Sequence, residues 1–305
     1  MVFPKISIIS PTRNRKNKLI RCLKSIESLD YPKDKLEVII VDNASNDGTT
    51  SVVKKEFPKV KIIENEYNLG VSTALNIGIK ESSGNFIFIF EDDLVLEKGC
   101  LKKLVTFSLE NPKIIAAGGL FYYNKKNRIR NLGGKINFFT SKIKIRGKDE
   151  IYRNQYGHSE ADVVGGATLL INRKIFEEIG YFDERFFWSY EDLDWCLRLK
   201  KKGYKIIVLP EAKIFHDHKI SEKPSPFSEY HIIRSKIIFM KKYMSIITFW
   251  FFPLQIIYTP LILIYFLIKN QKNLIIPYID GMLSGIFFPK KIFYTKNFKR
   301  LVRKD

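Results

Sequence analysis

Residues 84–94 read Gly-Asn-Phe-Ile-Phe-Ile-Phe-Glu-Asp-Asp-Leu, an unbroken aromatic and branched run that ends in three acids. Because the run has no polar alternation, it predicts a strand buried on both faces, which requires a sheet covered by other elements. Three carboxylates at the tip of such a strand repel one another and lose hydration. Two readings follow: the acids cap the next turn, or a cation compensates them. Oxygen ligands of this kind suit Mg2+ or Mn2+, which take one or two protein carboxylates and fill their remaining positions with water or phosphate.

The residues before it show what surrounds that strand. Residues 5–10 form a short apolar strand broken by Pro11, and Thr12, Arg13 and Asn14 follow as a polar loop. Leu19, Cys22, Leu23 and Ile26 lie at helical spacing in a segment from Lys16 to about Leu29. Residues 36–41 are a second buried strand that ends in the turn-forming run Asp42-Asn43-Ala44-Ser45-Asn46-Asp47-Gly48-Thr49. After a third strand at 60–63, Asn68-Leu69-Gly70 opens a helix. This alternation places the chain in the α/β class, with a mostly parallel, Rossmann-like sheet and helices on both faces. Ligands bind beyond the carboxyl ends of such strands, so Thr12, Asp42 and Asp93 are expected to converge on one cleft. That favours a metal and a nucleotide as the reason for the acids.

Beyond residue 100 the pattern is less regular. The basic stretch 121–150 reads as a solvated hairpin, with a flap over an acceptor as the alternative. Residues 163–171 predict another buried strand, in which Gly165 and Gly166 permit close approach of a ligand or a neighbouring backbone. Ser189, with Asp192 three positions on, predicts a helix start. Glu191, Asp192 and Asp194 fit there as favourable first-turn charges. Alternatively, beside Phe186, Phe187, Trp188, Tyr190 and Trp195, one of them is a desolvated carboxylate suited to general-base work. His216 follows a further strand and is placed to complete a mixed oxygen and nitrogen site with Asp93.

Fifty-two Lys and Arg against 32 Asp and Glu give a formal charge of +20, which first suggests nucleic acid or an anionic membrane. Its distribution separates the two. Cations from Arg234 onward are opposed only by Asp280 and Asp305, and they interleave with the most apolar part of the chain. That fits lipid better than a phosphate-tracking groove, so membrane contact through residues 243–289 is expected and a nucleic-acid partner is not. Residues 246–268 suffice to cross a hydrocarbon core of about 30 Å, kinked at Pro253 and Pro260. A hairpin or re-entrant insertion fits best; a single crossing, interfacial helices and a packed core helix are the alternatives. Cys22, Cys100 and Cys196 are odd in number and far apart, which points to a reducing compartment. Met1 leads straight into a strand pattern with no cleavable signal. The expected location is the cell membrane, with the catalytic part on its cytoplasmic side.

In order along the chain stand Ser7-Ile8-Ile9-Ser10-Pro11-Thr12-Arg13-Asn14, then Val38 to Thr49, Asn68-Leu69-Gly70 with Asn76-Ile77-Gly78, Glu91-Asp92-Asp93, Glu191-Asp192 and His216. This ordered set resembles the inverting glycosyltransferases of family 2, rhamnosyltransferase-like members included, over residues 5 to about 242. The resemblance implies the GT-A nucleotide-diphospho-sugar transferase fold in residues 1–235 and a basic, hydrophobic membrane-associating region in 236–305. It implies that Thr12 and Asp42 meet the base and ribose, that Asn68, Gly70 and Asn76 belong to the segment under the diphosphate, and that Pro11, Arg13, Asn14 and Gly166 also bind the nucleotide sugar. Asp93 and His216 would hold Mg2+ or Mn2+, with Asp92 on the ribose or a metal-bound water. Glu191 and Asp192 match the acidic pair whose second member is the base. Tyr230 and Arg234 resemble a pair that often follows. Two departures stand out: Arg13 replaces an aromatic residue that stacks on the base in some members, and Glu91 stands where Asp or a small polar residue is usual. The implied partners are a nucleotide-sugar donor and a glycan or lipid-linked acceptor. A polyprenyl-phosphate sugar synthase and a non-catalytic nucleotide-sugar-binding scaffold are the competing readings.

Overall fold

The computed structural model describes residues 2–123, 127–137, 142–165, 168–216, 225–243 and 247–287, with side chains placed except at 142 and 247–257. Gly166 lies outside the described residues. The strands are β1 Ile6–Thr12, β2 Leu36–Asp42, β3 Lys61–Glu64, β4 Phe86–Ile89, β5 Leu94–Leu96, β6 Ile114–Tyr122, β7 Ile129–Asn131, β8 Gly134–Asn137, β9 Lys142–Ile145, β10 Ser159–Ala161, β11 Leu169–Asn172 and β12 Lys205–His216. The helices are α1 Lys16–Glu27, α2 Thr49–Glu56, α3 Val71–Lys80, α4 Cys100–Glu110, α5 Arg173–Ile179, α6 Glu191–Lys201, α7 Pro226–Tyr243, α8 Ile247–Ile268 and α9 Ile275–Phe287.

Two compact units divide the chain, Met1–Phe182 with Asp192–Lys219 and Asp183–Glu191 with Ile220–Asp305. A cut after residue 235 would fall inside α7.

The first unit is built on the sheet β10-β12-β6-β11-β4-β1-β2-β3, with β5 on β12 and β7 on β6. Strands β3, β2, β1 and β4 are parallel. Beyond β4 the expected parallel order breaks, because β11 runs antiparallel to both β4 and β6. The sheet is therefore mixed. Its two halves still point the same way, since an antiparallel strand between β4 and β6 restores the direction. The carboxyl ends of β1, β2, β4, β6 and β12 thus share one edge.

Phe86, Ile87, Phe88 and Ile89 are all buried, as the lack of alternation requires. Phe88 joins Ile6, Ile8 and the α1 stripe Leu19, Cys22, Leu23 and Ile26 in one core cluster. Each such side chain contributes about 1.5–3 kcal/mol by leaving water. The strand expected over 163–171 is shorter: β11 begins only at Leu169, and Val163 makes an isolated bridge to Gly134. The basic stretch after β6 forms β7 and the hairpin of β8 and β9. Cys22, Cys100 and Cys196 are free and buried.

In the second unit α7 and α9 pack backbone to backbone. A Cβ at Gly281 would lie 2.4 Å from the Tyr230 carbonyl oxygen, and one at Gly285 would lie 2.9 Å from that of Arg234. Only glycine allows this approach, the usual consequence of small residues four apart on a helix. Arg234, 1% exposed, donates to the Arg185 carbonyl at 2.6 Å and to the Ser284 hydroxyl at 3.3 Å. Ser235 donates to the Trp188 carbonyl at 3.1 Å, and the His231 ring stacks on Phe187 at 4.6 Å. Burial, reinforced by the Arg234 charge, pushes the His231 imidazole down to about 3. The loop Asp183–Glu191 is thereby clamped on α7. Among the described residues no helix is long and apolar enough to cross a membrane. The described half of α8 is apolar nonetheless, with Tyr258, Leu261, Ile264, Tyr265, Leu267 and Ile268 exposed.

Candidate active site

Sheet register assembles the site. Thr12 and Asp42 end β1 and β2 as direct partners. Glu91, Asp92 and Asp93 follow β4, and His216 pairs with Leu94 on β5, the residue after the acids. Carboxylates and imidazole, remote in sequence, become neighbours.

Asp93 is 3% exposed and Asp92 6%. The Thr12 hydroxyl donates to Asp92 Oδ2 at 2.7 Å, and Arg15 reaches Asp92 Oδ1 at 3.4 Å and Asp93 Oδ2 at 2.7 Å. Lys18 Nζ lies 3.5 Å from the same Asp93 oxygen. His216 Nε2 is 3.1 Å from Asp93 Oδ1 and 3.5 Å from Glu91 Oε2. These environments push the adjacent aspartates apart. Burial dominates at Asp92 and, with Asp93 and Glu91 adding to it, lifts the carboxyl to about 7 against the pull of Arg15 and Thr12. At Asp93 burial is outweighed by His216, Arg15 and Lys18, which hold it well below the usual carboxylate range. Burial works to lower the His216 pKa, but Asp93 and Glu91 prevail and raise it.

Glu91, Asp93 and His216 each offer one ligand atom, all within 4.8 Å of one another. Among the described residues, buried Asp93 Oδ1 has the His216 ring as its ion-pair neighbour and no aligned hydrogen bond. Adjacent ligands on an octahedral ion with bonds of about 2.1 Å lie about 3.0 Å apart. The 3.1 Å between His216 Nε2 and Asp93 Oδ1 matches that edge. The donor set therefore fits a divalent ion, with Glu91 as a third ligand candidate beside the expected Asp93 and His216.

Other expected residues shape the edge around this cluster. Asp42, 2% exposed, accepts from the Ser45 backbone and hydroxyl and from Thr50, so it braces its own turn. Asn14 spans the β1 and β2 loops, accepting from the Asn46 N–H and donating its own N–H to the Ser45 hydroxyl. Pro11 pairs with Val41, and Arg13 is exposed beside them. Asn68 accepts from the Gly70 N–H at 3.0 Å, a local turn that sets the start of α3. Asn76 is buried and binds both polar groups of the Phe182 backbone, at 2.9 and 3.0 Å. Its amide is a strut between α3 and that segment. Sequence reading passed over Arg15 and Lys18, three apart in the first turns after the polar loop. It also passed over Asn43, whose amide donates to the Gly70 carbonyl and accepts from Asn65.

At the second acidic motif the structure separates the carboxylates. Asp194 is fully buried and paired with Arg198 at 3.0 Å, whose other nitrogens bind the carbonyls of Ile179 and Tyr181. It is structural. Asp192 is partly buried; its Oδ1 accepts the Leu193 N–H at 2.7 Å, and its Oδ2 faces Gly165. Ser189 is not an ordinary cap: it and Tyr190 take φ of 69° and 73°, and α6 begins at Glu191. Two successive left-handed residues without glycine cost about 1–2 kcal/mol each, strain that marks the approach to Asp192. The expected aromatic wall divides, with Trp195 packed on Phe176 and Phe182 and Phe187 and Tyr190 held on α7. Asn131, which flanks Gly165, pairs with Leu120 on β6, while His216 pairs with Tyr122 on β6's other side. Strand spacings put those backbones about 12 Å apart at one end of β6. Asp192 and the acids after β4 thus both lie toward this end of β6.

Known proteins are similar to this chain in sequence and in fold. Over 28% identical positions the chain is similar to the dolichyl N-acetyl-alpha-D-glucosaminyl phosphate 3-beta-D-2,3-diacetamido-2,3-dideoxy-beta-D-glucuronosyltransferase of Methanococcus voltae, covering 81% of this chain and 77% of that one. It is 25% identical to the dTDP-rhamnosyl transferase RfbF of Shigella flexneri, over 72% of this chain and 76% of the relative. In fold it is similar to GalNAc-T7 crystallised with UDP, GalNAc and Mn2+, with a TM-score of 0.63 at 16% identity, over 79% of this chain but only 50% of that one. TarS of S. aureus in complex with UDP-GlcNAc gives a TM-score of 0.55 at 21% identity, over 77% and 66% of the two chains. The fold is thus a GT-A-like glycosyltransferase fold. The model of the family described as Glycosyl transferase family 2 matches residues 7–180, which contain the β1 loop, the β2 turn and the acids after β4, and the chain belongs to that family.

Proposed function

We propose that this family 2 glycosyltransferase moves a sugar from a nucleotide-diphosphate donor to a hydroxyl of a glycan or lipid-linked acceptor, with inversion, in the assembly of a surface polysaccharide or glycolipid. The observation that carries the reading is the Glu91, Asp93 and His216 set at the carboxyl edge of the sheet of a family 2 chain. Pro11, Thr12, Arg13, Asn14 and the Asp42 turn border the nucleotide. Asp92, near neutrality in its pKa, offers a carboxyl that can donate as well as accept. Asp93, His216 and Glu91 would hold a divalent ion, which would supply charge neutralisation for the departing diphosphate. Arg15 and Lys18 bring two further positive charges to the same place.

Asp192 draws the proton from the acceptor hydroxyl as its oxygen bonds to the anomeric carbon. The bond from that carbon to the diphosphate breaks on the opposite face, and its electron pair leaves with the nucleotide. Glu191 opens the helix beside the base. The acceptor is lipid-linked on this reading, and the exposed apolar face of α8, followed by Lys269 and Lys272, rests on an anionic membrane surface on the cytoplasmic side.

Two measurements test the proposal. In a thermal-shift panel of UDP-, dTDP- and GDP-sugars, at least one donor raises Tm only when Mn2+ or Mg2+ is present. Transfer is then followed with octyl glycosides as acceptors, and absence of both stabilisation and transfer throughout would remove the function. For the membrane, wild-type protein floats with vesicles of phosphatidylglycerol and phosphatidylcholine. Leu261→Glu/Ile264→Glu should stay in the bottom fraction, and equal flotation of the two proteins would discard the surface contact.

A further inference from the structure

The space over Gly165 is bracketed by two polar groups of opposite kind. A Cβ built on Gly165 would lie 3.5 Å from Asn131 Nδ2 and 3.8 Å from Asp192 Oδ2. Gly165, Asn131 and Asp192 are all partly exposed. The Asn131 amide is oriented by its own neighbourhood: Oδ1 accepts the Gly133 N–H at 2.7 Å, so Nδ2 is the end presented to Gly165. The bridge between Gly134 and Val163, with the Gly134 N–H donating to the Val163 carbonyl at 2.8 Å, fixes this corner against the segment that carries Gly165. Among the described residues nothing requires a glycine at 165. Its φ lies outside the left-handed region, and both distances are ordinary van der Waals contacts that a methyl group would tolerate.

We propose that Asn131 is a specificity-determining residue, donating its amide N–H to an acceptor-sugar hydroxyl next to the one that Asp192 deprotonates, in a space kept open by Gly165. The chemistry matches a vicinal diol. One hydroxyl gives its proton to the carboxylate, and its neighbour offers a lone pair to the amide. A methyl group at 165 would lie in contact with both groups and take up room beside them. The inference rests on Asp192 as the base, and its tests leave Asp192 in place.

The probes are the octyl glycoside that accepts sugar in the transfer assay and its deoxy analogues, each lacking one hydroxyl beside the reacting one. Asn131→Asp keeps the oxygen that holds the Gly133 N–H and replaces only the donating end. For this variant the acceptor KM should rise about tenfold, the worth of one hydrogen bond, with kcat less affected. The analogue lacking the hydroxyl that Asn131 binds should be a correspondingly poor acceptor for wild type, whereas Asn131→Asp should accept parent and analogue equally. Gly165→Ala should keep the wild-type Tm and lose at least about a hundredfold in kcat/KM for acceptor, as expected when a ligand is blocked from a formed pocket. Wild-type acceptor kinetics in either variant, or unchanged discrimination in Asn131→Asp, would overturn the proposal even with Asp192→Asn inactive. An active Asp192→Asn would instead remove the base and leave the Asn131 result to stand as acceptor recognition.

Discussion

Asp192→Asn should lower kcat by a factor of about 10² to 10⁴ while donor binding stays at the wild-type level, because base catalysis contributes in that range and the amide cannot take a proton. The substitution is nearly isosteric, and the carbonyl of Asn can still accept the Leu193 N–H that Asp192 Oδ1 holds at 2.7 Å. The helix start is therefore preserved. The discriminating control is Asp194→Asn two residues on. Asp194 is fully buried and paired with Arg198, so its variant should lose stability, with breakage of a buried pair costing about 3–5 kcal/mol. The two aspartates should thus separate cleanly, one in rate and the other in Tm. Single-turnover transfer at saturating donor measures the first. An Asp192→Asn protein with more than about a tenth of the wild-type rate would exclude that carboxylate as the base.

Legibility from sequence followed the physics of each signal. The Phe and Ile run after Gly84 was readable because burial on both faces leaves no room for polar alternation, and Phe86 to Ile89 are buried throughout. Thr12, Asp93 and His216 were readable because strand ends in an α/β sheet must share an edge, and the observed register puts them there. The antiparallel β11 was not, since strand direction leaves no trace in a short apolar segment and depends on pairing far along the chain. Asn76 shows a different limit. Nothing in the sequence around an Asn beside a ligand loop announces that its amide binds the backbone of Phe182, 106 residues away. Arg15 and Lys18 carried a signal that helical spacing disguised as a solvated face. Only the fold turns that face onto Asp93.

Asp93→Asn should abolish metal binding almost without changing the shape of the site. Asp93 supplies the oxygen that lies 3.1 Å from His216 Nε2 and, among the described residues, accepts no aligned hydrogen bond, and it is the charge that Arg15 and Lys18 face at 2.7 and 3.5 Å. An Asn side chain retains an oxygen of the same size but no charge, and a neutral amide is a far weaker ligand for a hard cation than a carboxylate. Residues that merely orient a metal ligand are worth about 10- to 100-fold in affinity, so loss of a charged ligand should exceed about 100-fold. The readout is calorimetric titration with MnCl2 alone, followed by UDP with and without Mn2+, so the answer does not depend on turnover. Stability moves in two directions at once. Arg15 and Lys18 lose a partner, but Arg15 is 42% exposed and water compensates most of that loss, so Tm should fall by only a few degrees. A large affinity change with a small stability change is the signature of a ligand. Equal Mn2+ affinity in the two proteins would take Asp93 out of the metal site, and the role assigned to His216 and Glu91 would fall with it.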